Sequence, residues 1–295
     1  MTISGPYRRT EAIEKPALET GAARADPAAA TSVPRAPVDR KSSRLDFVGD
    51  LDAALALLAV PADTASAMLP EGLRLAPQSA MPADQHPLLV VLGRQRNVRL
   101  ALFSSGIDYL EFILAVPFVE HDQPDRHPRG PFGYLPCLFL DRRLPIVAGR
   151  LLLAYAKRRA AISATPDTYR IACPSTGEPL VSARFGTAGR SSSGRPSAPI
   201  AEILQLPVIS RSARRAWRYS VADLALDRAE IEPIDMNLAI ERPFVPGLRA
   251  GSVALDAAGG HAFRLRTSWR LTGPVARRSP PRPSGTGQSP AEAVT

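Results

Sequence analysis

Short apolar runs, some continuous and some alternating with polar residues, recur along the middle of the chain between turn-forming residues. Runs rich in Val, Ile, Leu, Phe and Tyr between turn signals are typical of β-strands. The pattern predicts strands at 73–76, 87–92, 98–103, 109–119, 134–140, 168–173, 180–185, 203–209, 217–226, 230–238 and 261–271. Strands do not alternate regularly with helices, so a doubly wound parallel sheet is not expected. We therefore predict a β-rich α+β fold, an antiparallel β-barrel with a few short helices.

Two segments depart from the strand pattern. A short helix is predicted at 63–68, with Asp63 near its start and Pro70-Glu71-Gly72 ending it. Residues 146–154 form an apolar run that contains Gly149 and Arg150 but shows no β-alternation, which favours a short buried helix, although its length leaves helix and strand both open.

The two ends of the chain differ in composition from its middle. Residues 1–45 are rich in Ala, Pro, Arg, Thr and Ser without periodicity, and residues 274–295 are similar. Such composition predicts a disordered leader and a disordered tail around one domain at 46–273.

The formal charge of +9 raises the question of a nucleic-acid partner. The excess is spread thinly, and no recognition helix, zinc finger or RNA-binding signature accompanies it. The densest basic run, 211–218, is interpreted as a solvated edge or the rim of an anionic-ligand site. We predict no nucleic-acid partner.

Cysteine usage and hydropathy bear on the compartment. Cys137 and Cys173 stand singly, which fits a reducing cytoplasm, and no apolar stretch approaches the ~20 residues of a membrane span. The segment 121–127 contains two histidines and two aspartates, but its Pro and Arg favour a solvated loop over a metal site. The chain is predicted to be cytoplasmic, without a membrane span or a bound metal.

Lysine is rare in this chain: only Lys15, Lys41 and Lys157 accompany 34 arginines. An amine can lose its proton, attack a carbonyl and form a Schiff base, whereas a guanidinium cannot. On composition alone Lys157 would be a surface charge, but the sequence around it favours a catalytic role.

Three segments carry that argument. In the first, 108–117, Glu111 lies in an apolar strand on the same face as Tyr109 and Ile113. The second, 132–141, reads Phe-Gly-Tyr-Leu-Pro-Cys-Leu-Phe-Leu-Asp. The third, 146–159, reads Ile-Val-Ala-Gly-Arg-Leu-Leu-Leu-Ala-Tyr-Ala-Lys-Arg-Arg and contains Lys157.

Taken in order, these segments resemble the acetoacetate decarboxylase superfamily, whose members share a Tyr-x-Glu strand, a Gly-Asp/Tyr-Tyr-Leu…Tyr-Leu-Asp hairpin and a Gly-Arg-Glu-x-x-x-Tyr-Pro-Lys-Lys segment. The resemblance implies that family's β-barrel, a Schiff base on Lys157 and an acidic group at Glu111. Arg158 then matches the adjacent cation, and Tyr155 and Arg150 match the motif's Tyr and Arg. It also implies a homo-oligomer and, because the imine is formed on the lysine itself, no metal or organic cofactor.

The sequence departs from the family pattern at several positions. Leu151, Ala156 and Arg158 stand where the family has Glu, Pro and a second Lys. The family's carboxylate-binding Arg falls at Leu51 in an ungapped alignment anchored at Pro70-Glu71-Gly72, and Arg44 is the nearest arginine.

The expected reaction requires a neutral amine, and a free lysine has a pKa near ~10.4. An apolar wall of Leu151 to Leu153, Phe112 and Ile113 is expected to favour the neutral form more than Arg158 does. If the backbone is extended, Arg158 points to the opposite face from Lys157.

We predict a carbon–carbon lyase that decarboxylates acetoacetate or a related β-keto acid through an imine on Lys157, with a small carbonyl acid as substrate. The alternatives are an aldolase, dehydratase or cyclase using the same lysine, or a relative that binds a ligand without reacting. The alternative, structural interpretations are that Glu111 is a strand-edge carboxylate paired with an Arg, that Arg150 is buried and bonds backbone carbonyls, and that Tyr155 packs.

Overall fold

The computed structural model describes residues 45–123, 125, 127–186, 198–257 and 259–275. The predicted leader and tail lie outside these residues except at Leu45, Pro274 and Val275, and the last two end a strand. The described residues belong to a single compact unit, Arg40–Thr295.

Strands dominate the described residues. They are β1 (Asp46–Pro61), β2 (Leu73–Leu75), β3 (Gln85–Leu100), β4 (Ile107–His121), β5 (Phe132–Leu140), β6 (Lys157–Arg159), β7 (Ala161–Ala164), β8 (Thr168–Ala172), β9 (Pro179–Gly186), β10 (Val208–Arg211), β11 (Trp217–Leu224), β12 (Glu230–Pro233), β13 (Asp235–Ile240), β14 (Gly251–Leu255) and β15 (Ala262–Val275). The helices are α1 (Ala62–Ser66), α2 (Arg143–Ala148) and α3 (Ala198–Gln205), with a π-turn at Gly149–Leu153 and a 3₁₀ turn at Leu226–Arg228. None of the helices in the described ranges is long and apolar enough to cross a membrane.

The strands form two sheets. In the larger one, β4, β3, β1, β15, β11, β10 and β5 are successive neighbours, and β5 also pairs with β4, so the pairings return to their start. Strands β2, β6 and β12 extend this ring of seven, and the second sheet has the order β14-β13-β9-β8-β7. Pairing is antiparallel except where β5 meets β10 and β6. The expected β-rich fold with few short helices is confirmed, while its antiparallel character is corrected at those two pairs.

The larger sheet buries both faces, because successive residues of a strand point to opposite sides. The face that carries Glu111, here the Glu111 face, packs apolar side chains of β1, β3 and β15 against α3. The opposite face, here the Phe112 face, packs against the second sheet. Tyr169 of β8 ties the sheets together, since its hydroxyl lies 3.2 Å from the carbonyl oxygen of Gly93 and 3.0 Å from that of Glu111.

Strand β1 was not predicted. Its Ala- and Leu-rich sequence has a low share of β-branched and aromatic residues, so propensity does not favour a strand there. Burial on both faces between β3 and β15 overrides that propensity. The predicted strands 87–92 and 98–103 overlap one strand, β3, which is continuous from Gln85 to Leu100, so residues 101–103 are not in a strand.

Two further predictions need correction, and one open alternative is resolved. Residues 203–205 belong to α3 rather than to a strand, because Ile200 and Ile203 pack into the Glu111 face at helical spacing. The predicted strand 230–238 is two strands, β12 and β13, which pair in different sheets. Residues 146–153 are helical, in α2 and the π-turn.

The histidine segment is also not simply a solvated loop. His121 is buried at the end of β4, where its Nε2 lies 2.7 Å from the Tyr219 hydroxyl and its ring stacks on His127 at 4.1 Å. Burial, and secondarily the charge of His127, lower the pKa of His121 to about 4. Burial also lowers the pKa of His86, whose ring bonds the Pro117 carbonyl.

These histidines predict a loss of stability in mild acid. The unfolded chain takes up a proton near the ordinary histidine pKa of ~6.5, which folded His121 does not accept until the pH is about 4. The free energy of unfolding should therefore fall as the pH drops from about 6.5 toward 4. Urea unfolding across this range should show a weaker fall in His121→Gln and an unchanged fall in the matched variant of exposed His261, His261→Gln. Equal pH dependence in wild type and His121→Gln would contradict the assignment.

Candidate active site

Lys157 is the first residue of β6, where it pairs in parallel with Leu138 of β5. Its side chain is buried, with the whole residue 7% exposed. The aliphatic part passes directly over Gly149: a Cβ at that position would lie 2.5 Å from the lysine Cδ and 2.6 Å from Cε. A glycine in the π-turn therefore provides the space that the buried lysine occupies.

Glu111 of β4 meets the end of this side chain. Its Oε1 lies 3.2 Å from the Lys157 Nζ, and Glu111 is 4% exposed. The contact has an ion-pair distance but not hydrogen-bond geometry, and Oε1 accepts no hydrogen bond from the described residues. Oε2 accepts one from Gln95 at 3.1 Å, and the Tyr109 ring centroid lies 5.8 Å from Nζ. The structure thus brings Lys157 and Glu111 together in a site largely closed to solvent.

Side chains from neighbouring strands hold the backbone that leads to Lys157. The Leu153 carbonyl accepts a hydrogen bond from Ser210, and the Leu152 carbonyl accepts one from Arg218. Ala154 then adopts a left-handed conformation, with φ 57°, that ends the π-turn. These bonds satisfy carbonyls that the end of a helix leaves without partners and fix the approach of the chain to the lysine.

The other predicted site residues have different positions. Tyr155 is buried, and its hydroxyl forms a short hydrogen bond with Ser220. Burial raises the pKa of Tyr155 well above its ordinary value, with a smaller contribution of the same sign from Glu111 and an opposing one from the Ser220 bond. Tyr155 is therefore a neutral phenol near the pair. It also packs in an apolar cluster, as its structural interpretation predicts.

The two arginines are exposed, and each bonds a backbone carbonyl. Arg150 bonds a backbone carbonyl, as the structural interpretation predicts, since its Nε donates to the Lys157 carbonyl at 2.7 Å, but it is exposed rather than buried. Arg158 is exposed and donates to the Phe244 carbonyl at 3.2 Å. Because Arg158 follows Lys157 in an extended strand, it points to the opposite side, as expected.

The apolar surroundings differ from the predicted wall. Leu151 is 71% exposed, and Phe112 lies on the opposite face of β4. Ile113 does pack with the cluster beside the pair. The buried members of this cluster are Tyr109, Leu138, Leu140, Ile146, Leu153 and Tyr155. The wall is built mainly by β5 and the helical segment that precedes Lys157, which sequence order alone did not reveal.

The position aligned with the family's carboxylate-binding arginine is apolar in the structure. Leu51 of β1 is buried on the Glu111 face, and Arg44 lies outside the described residues. A methyl group of Leu51 would lie 3.1 Å from a Cβ at Gly93, and Gly93 is the direct partner of Glu111 across β3 and β4. Leu51 thus presents hydrocarbon close to the acidic residue.

Sequence reasoning did not identify Gln95 or Trp269, which extend the site away from Lys157. The Trp269 Nε1 donates to Gln95 Oε1 at 2.9 Å, although the two residues are 174 positions apart. No local pattern signals such a contact, since it depends on the pairing of β1 with both β3 and β15. A surface cleft of about 530 Å³ borders Trp269, but its lining does not include Lys157 or Glu111.

Comparison with known proteins places the chain in a family. The family model for acetoacetate decarboxylase matches residues 32–268, beginning within the predicted leader. No curated protein matches the chain.

Solved structures show the same fold. An acetoacetate decarboxylase from Legionella pneumophila is 16% identical, with a TM-score of 0.51, over 83% of this chain and 93% of its own. Another acetoacetate decarboxylase is 14% identical, with a TM-score of 0.53, over 77% and 87% of the two chains. An acetoacetate decarboxylase-like enzyme from Sphingomonas wittichii RW1 is 14% identical, with a TM-score of 0.52, over 80% and 92%. At these identities the likeness concerns the fold, and the match over most of the sequence leads to the conclusion that the chain belongs to the acetoacetate decarboxylase family.

Proposed function

We propose that this protein is a Schiff-base enzyme that cleaves a carbon–carbon bond of a small carbonyl acid through an imine on Lys157. The observation that carries the proposal is the buried contact between Lys157 Nζ and Glu111 Oε1. Glu111 Oε1 accepts no hydrogen bond from the described residues, so it can accept a proton from the Lys157 amine beside it. A lysine is nucleophilic only as the neutral amine, and an ionised carboxylate beside it favours the ammonium, so Glu111 serves the reaction only by accepting the ammonium proton.

The first steps convert the amine into an electron sink. Transfer of a proton from the Lys157 ammonium to Glu111 Oε1 leaves a neutral amine. Its lone pair attacks the substrate ketone, and the carbinolamine hydroxyl leaves as water with the proton held by Glu111, which gives a protonated imine and an ionised Glu111. The positive nitrogen can then accept an electron pair from the bond two atoms away.

For a β-keto acid, that bond joins the α-carbon to the carboxylate. Carbon dioxide leaves, and the electron pair forms an enamine with the former imine carbon. A proton taken up from water, directly or through Glu111, adds to the enamine carbon and restores the imine, and hydrolysis releases the ketone and the amine. Each step uses residues of this chain and water, so the proposal requires no metal or organic cofactor.

A second candidate activity rests on Leu51. Because Leu51 presents hydrocarbon near Glu111, the site favours a carbonyl compound whose group at that point is uncharged. The same iminium ion then supports aldol cleavage, condensation or dehydration, since only the bond beside the imine differs. Carbon dioxide release distinguishes this candidate from the decarboxylase.

The proposal also includes the features that accompany the family resemblance. The ring of seven strands is a closed barrel, with Lys157 and Glu111 on the face turned inward. The protein works in the cytoplasm as a homo-oligomer. Light scattering on the purified full chain tests the oligomer.

Borohydride trapping tests the function directly. The full chain is incubated with acetoacetate, longer β-keto acids or neutral ketones, reduced, and mapped by peptide mass spectrometry. We expect a reduced adduct on Lys157, which requires a neutral amine in the site. The map is unambiguous because the chain has only three lysines, and Lys15 and Lys41 lie in other peptides.

The control variant Lys157→Arg keeps the positive charge but cannot form an imine. It should show no adduct at position 157 with any carbonyl. Absence of an adduct in the wild type with every carbonyl near neutral pH would overturn the enzymatic proposal and favour a protein that binds without reacting. Measured carbon dioxide then assigns a trapped substrate to the first or the second candidate.

A further inference from the structure

Gln95 connects the reactive pair to an indole across the sheet. Its Nε2 donates to Glu111 Oε2 at 3.1 Å, and its Oε1 accepts from the Trp269 Nε1 at 2.9 Å. Gln95 is buried, and the three side chains come from β3, β4 and β15. The resulting hydrogen-bond chain runs from Trp269 through Gln95 to the carboxylate beside Lys157.

Trp269 determines which way the Gln95 amide faces. An indole nitrogen is a donor only, so the group opposite it must be the amide oxygen. The amide nitrogen then faces Glu111 and donates to it. A rotated amide would place two donors together at Trp269 and two acceptors together at Glu111, and both contacts are unfavourable.

The backbone around Trp269 is shaped for this contact. Trp269 of β15 pairs directly with Gly49 of β1, and β3 lies beyond β1. A Cβ at Gly49 would lie 2.9 Å from Trp269 Cζ2, so any larger residue would obstruct the indole. Neighbouring strands are about 4.8 Å apart, and the indole crosses that strand at the glycine to reach Gln95.

We propose that Trp269 and Gln95 are positioning residues for the chemistry of Lys157. They hold Glu111 with Oε2 occupied and Oε1 left for the lysine amine. Neither residue touches the reacting carbon; Trp269 acts through Gln95, and Gln95 acts through Glu111. This inference rests on the proposed Schiff-base function, which supplies the reaction that the carboxylate serves.

The kinetic test is a double-mutant cycle on the rate of borohydride-trapped adduct formation at Lys157. Trp269→Phe keeps an aromatic ring but removes the N–H, and we expect the maximal rate to fall about tenfold. Gln95→Leu removes the amide, and we expect a fall of between about tenfold and a hundredfold. The double variant should be no slower than Gln95→Leu, because the indole has lost the group through which it acts.

The carbonyl concentration that gives half the maximal rate should stay unchanged, since the chain does not contact the carbonyl. Trp217→Phe replaces the other tryptophan, which packs against His121 outside the site, and should leave the rate unchanged. Independent, multiplicative losses in the double variant would overturn the proposal. A full rate in Trp269→Phe would overturn it as well.

A second measurement distinguishes failure of this inference from failure of the proposed function. The two tryptophans give two indole N–H signals in a nitrogen-15 spectrum, and loss of one in Trp269→Phe assigns it. Gln95→Leu should shift the Trp269 signal and leave that of Trp217 in place. If the wild type forms no adduct, the proposed reaction fails, and the indole signal then tests the hydrogen-bond chain by itself. A shifted Trp269 signal in Gln95→Leu supports the chain, and an unshifted signal overturns it.

Discussion

Lys157→Met should abolish adduct formation and lower the free energy of unfolding by about 3–5 kcal/mol. The loss of reaction follows from the loss of the amine. The loss of stability follows from Glu111, which remains buried, with one oxygen that accepts no hydrogen bond from the described residues, and has no cation beside it. Urea denaturation and borohydride trapping on the same variant measure the two effects.

Adding Glu111→Gln to this variant separates stability from chemistry. The second substitution removes the unpaired buried charge and keeps an oxygen for the Gln95 amide, so most of the lost stability should return. Adduct formation should stay absent. As a surface control, Arg242→Met breaks an exposed ion pair with Glu178 and should cost less than about 1 kcal/mol. A Lys157→Met protein as stable as the wild type would show that the pair is not a buried ion pair.

Lys157 and Glu111 could be predicted as candidate site residues from the sequence because their signals are local. Lys157 is conspicuous among the arginines, and period-two alternation in 108–117 puts Glu111 on one face with Tyr109. The family resemblance then orders the two segments along the chain. The sequence did not give the distance between Lys157 and Glu111. That distance follows from the strand pairings, which are parallel between β5 and β6 and antiparallel between β4 and β5.

The residues around the pair, such as Gln95 and Trp269, could not be predicted, since their positions depend on strand register across the ring. Strand β1 was missed because its Ala- and Leu-rich sequence does not resemble a strand, so Gly49 and Leu51 had no predicted position. Without β1, nothing relates Trp269 to Gln95. The wall was misassigned for a similar reason: the π-turn directs Leu151 to solvent and Leu153 inward, and a continuous apolar run contains no signal of that rotation.

Gly149→Ala should reduce adduct formation by about tenfold or more and destabilise the fold by about 1–3 kcal/mol. Replacing a helical glycine by alanine ordinarily stabilises a protein by about 0.5–1 kcal/mol. Here the new methyl would lie 2.5 Å from the Lys157 Cδ and 3.3 Å from its Nζ. The lysine must move, and its amine then leaves Glu111. Gly133→Ala on β5 is the matched control, because nothing lies within 4 Å of its Cβ position.

A second substitution tests whether the Lys157 side chain is the cause of the stability lost in Gly149→Ala. In a Lys157→Ala background the obstructing side chain is gone, so Gly149→Ala should be neutral or stabilising, as in an ordinary helix. Urea denaturation of the four proteins of this cycle measures the coupling, which should amount to about 1–3 kcal/mol. If alanine at 149 costs the same stability with and without the lysine, the strain lies in the π-turn itself. The glycine would then serve the backbone of the turn rather than make room for the Lys157 side chain.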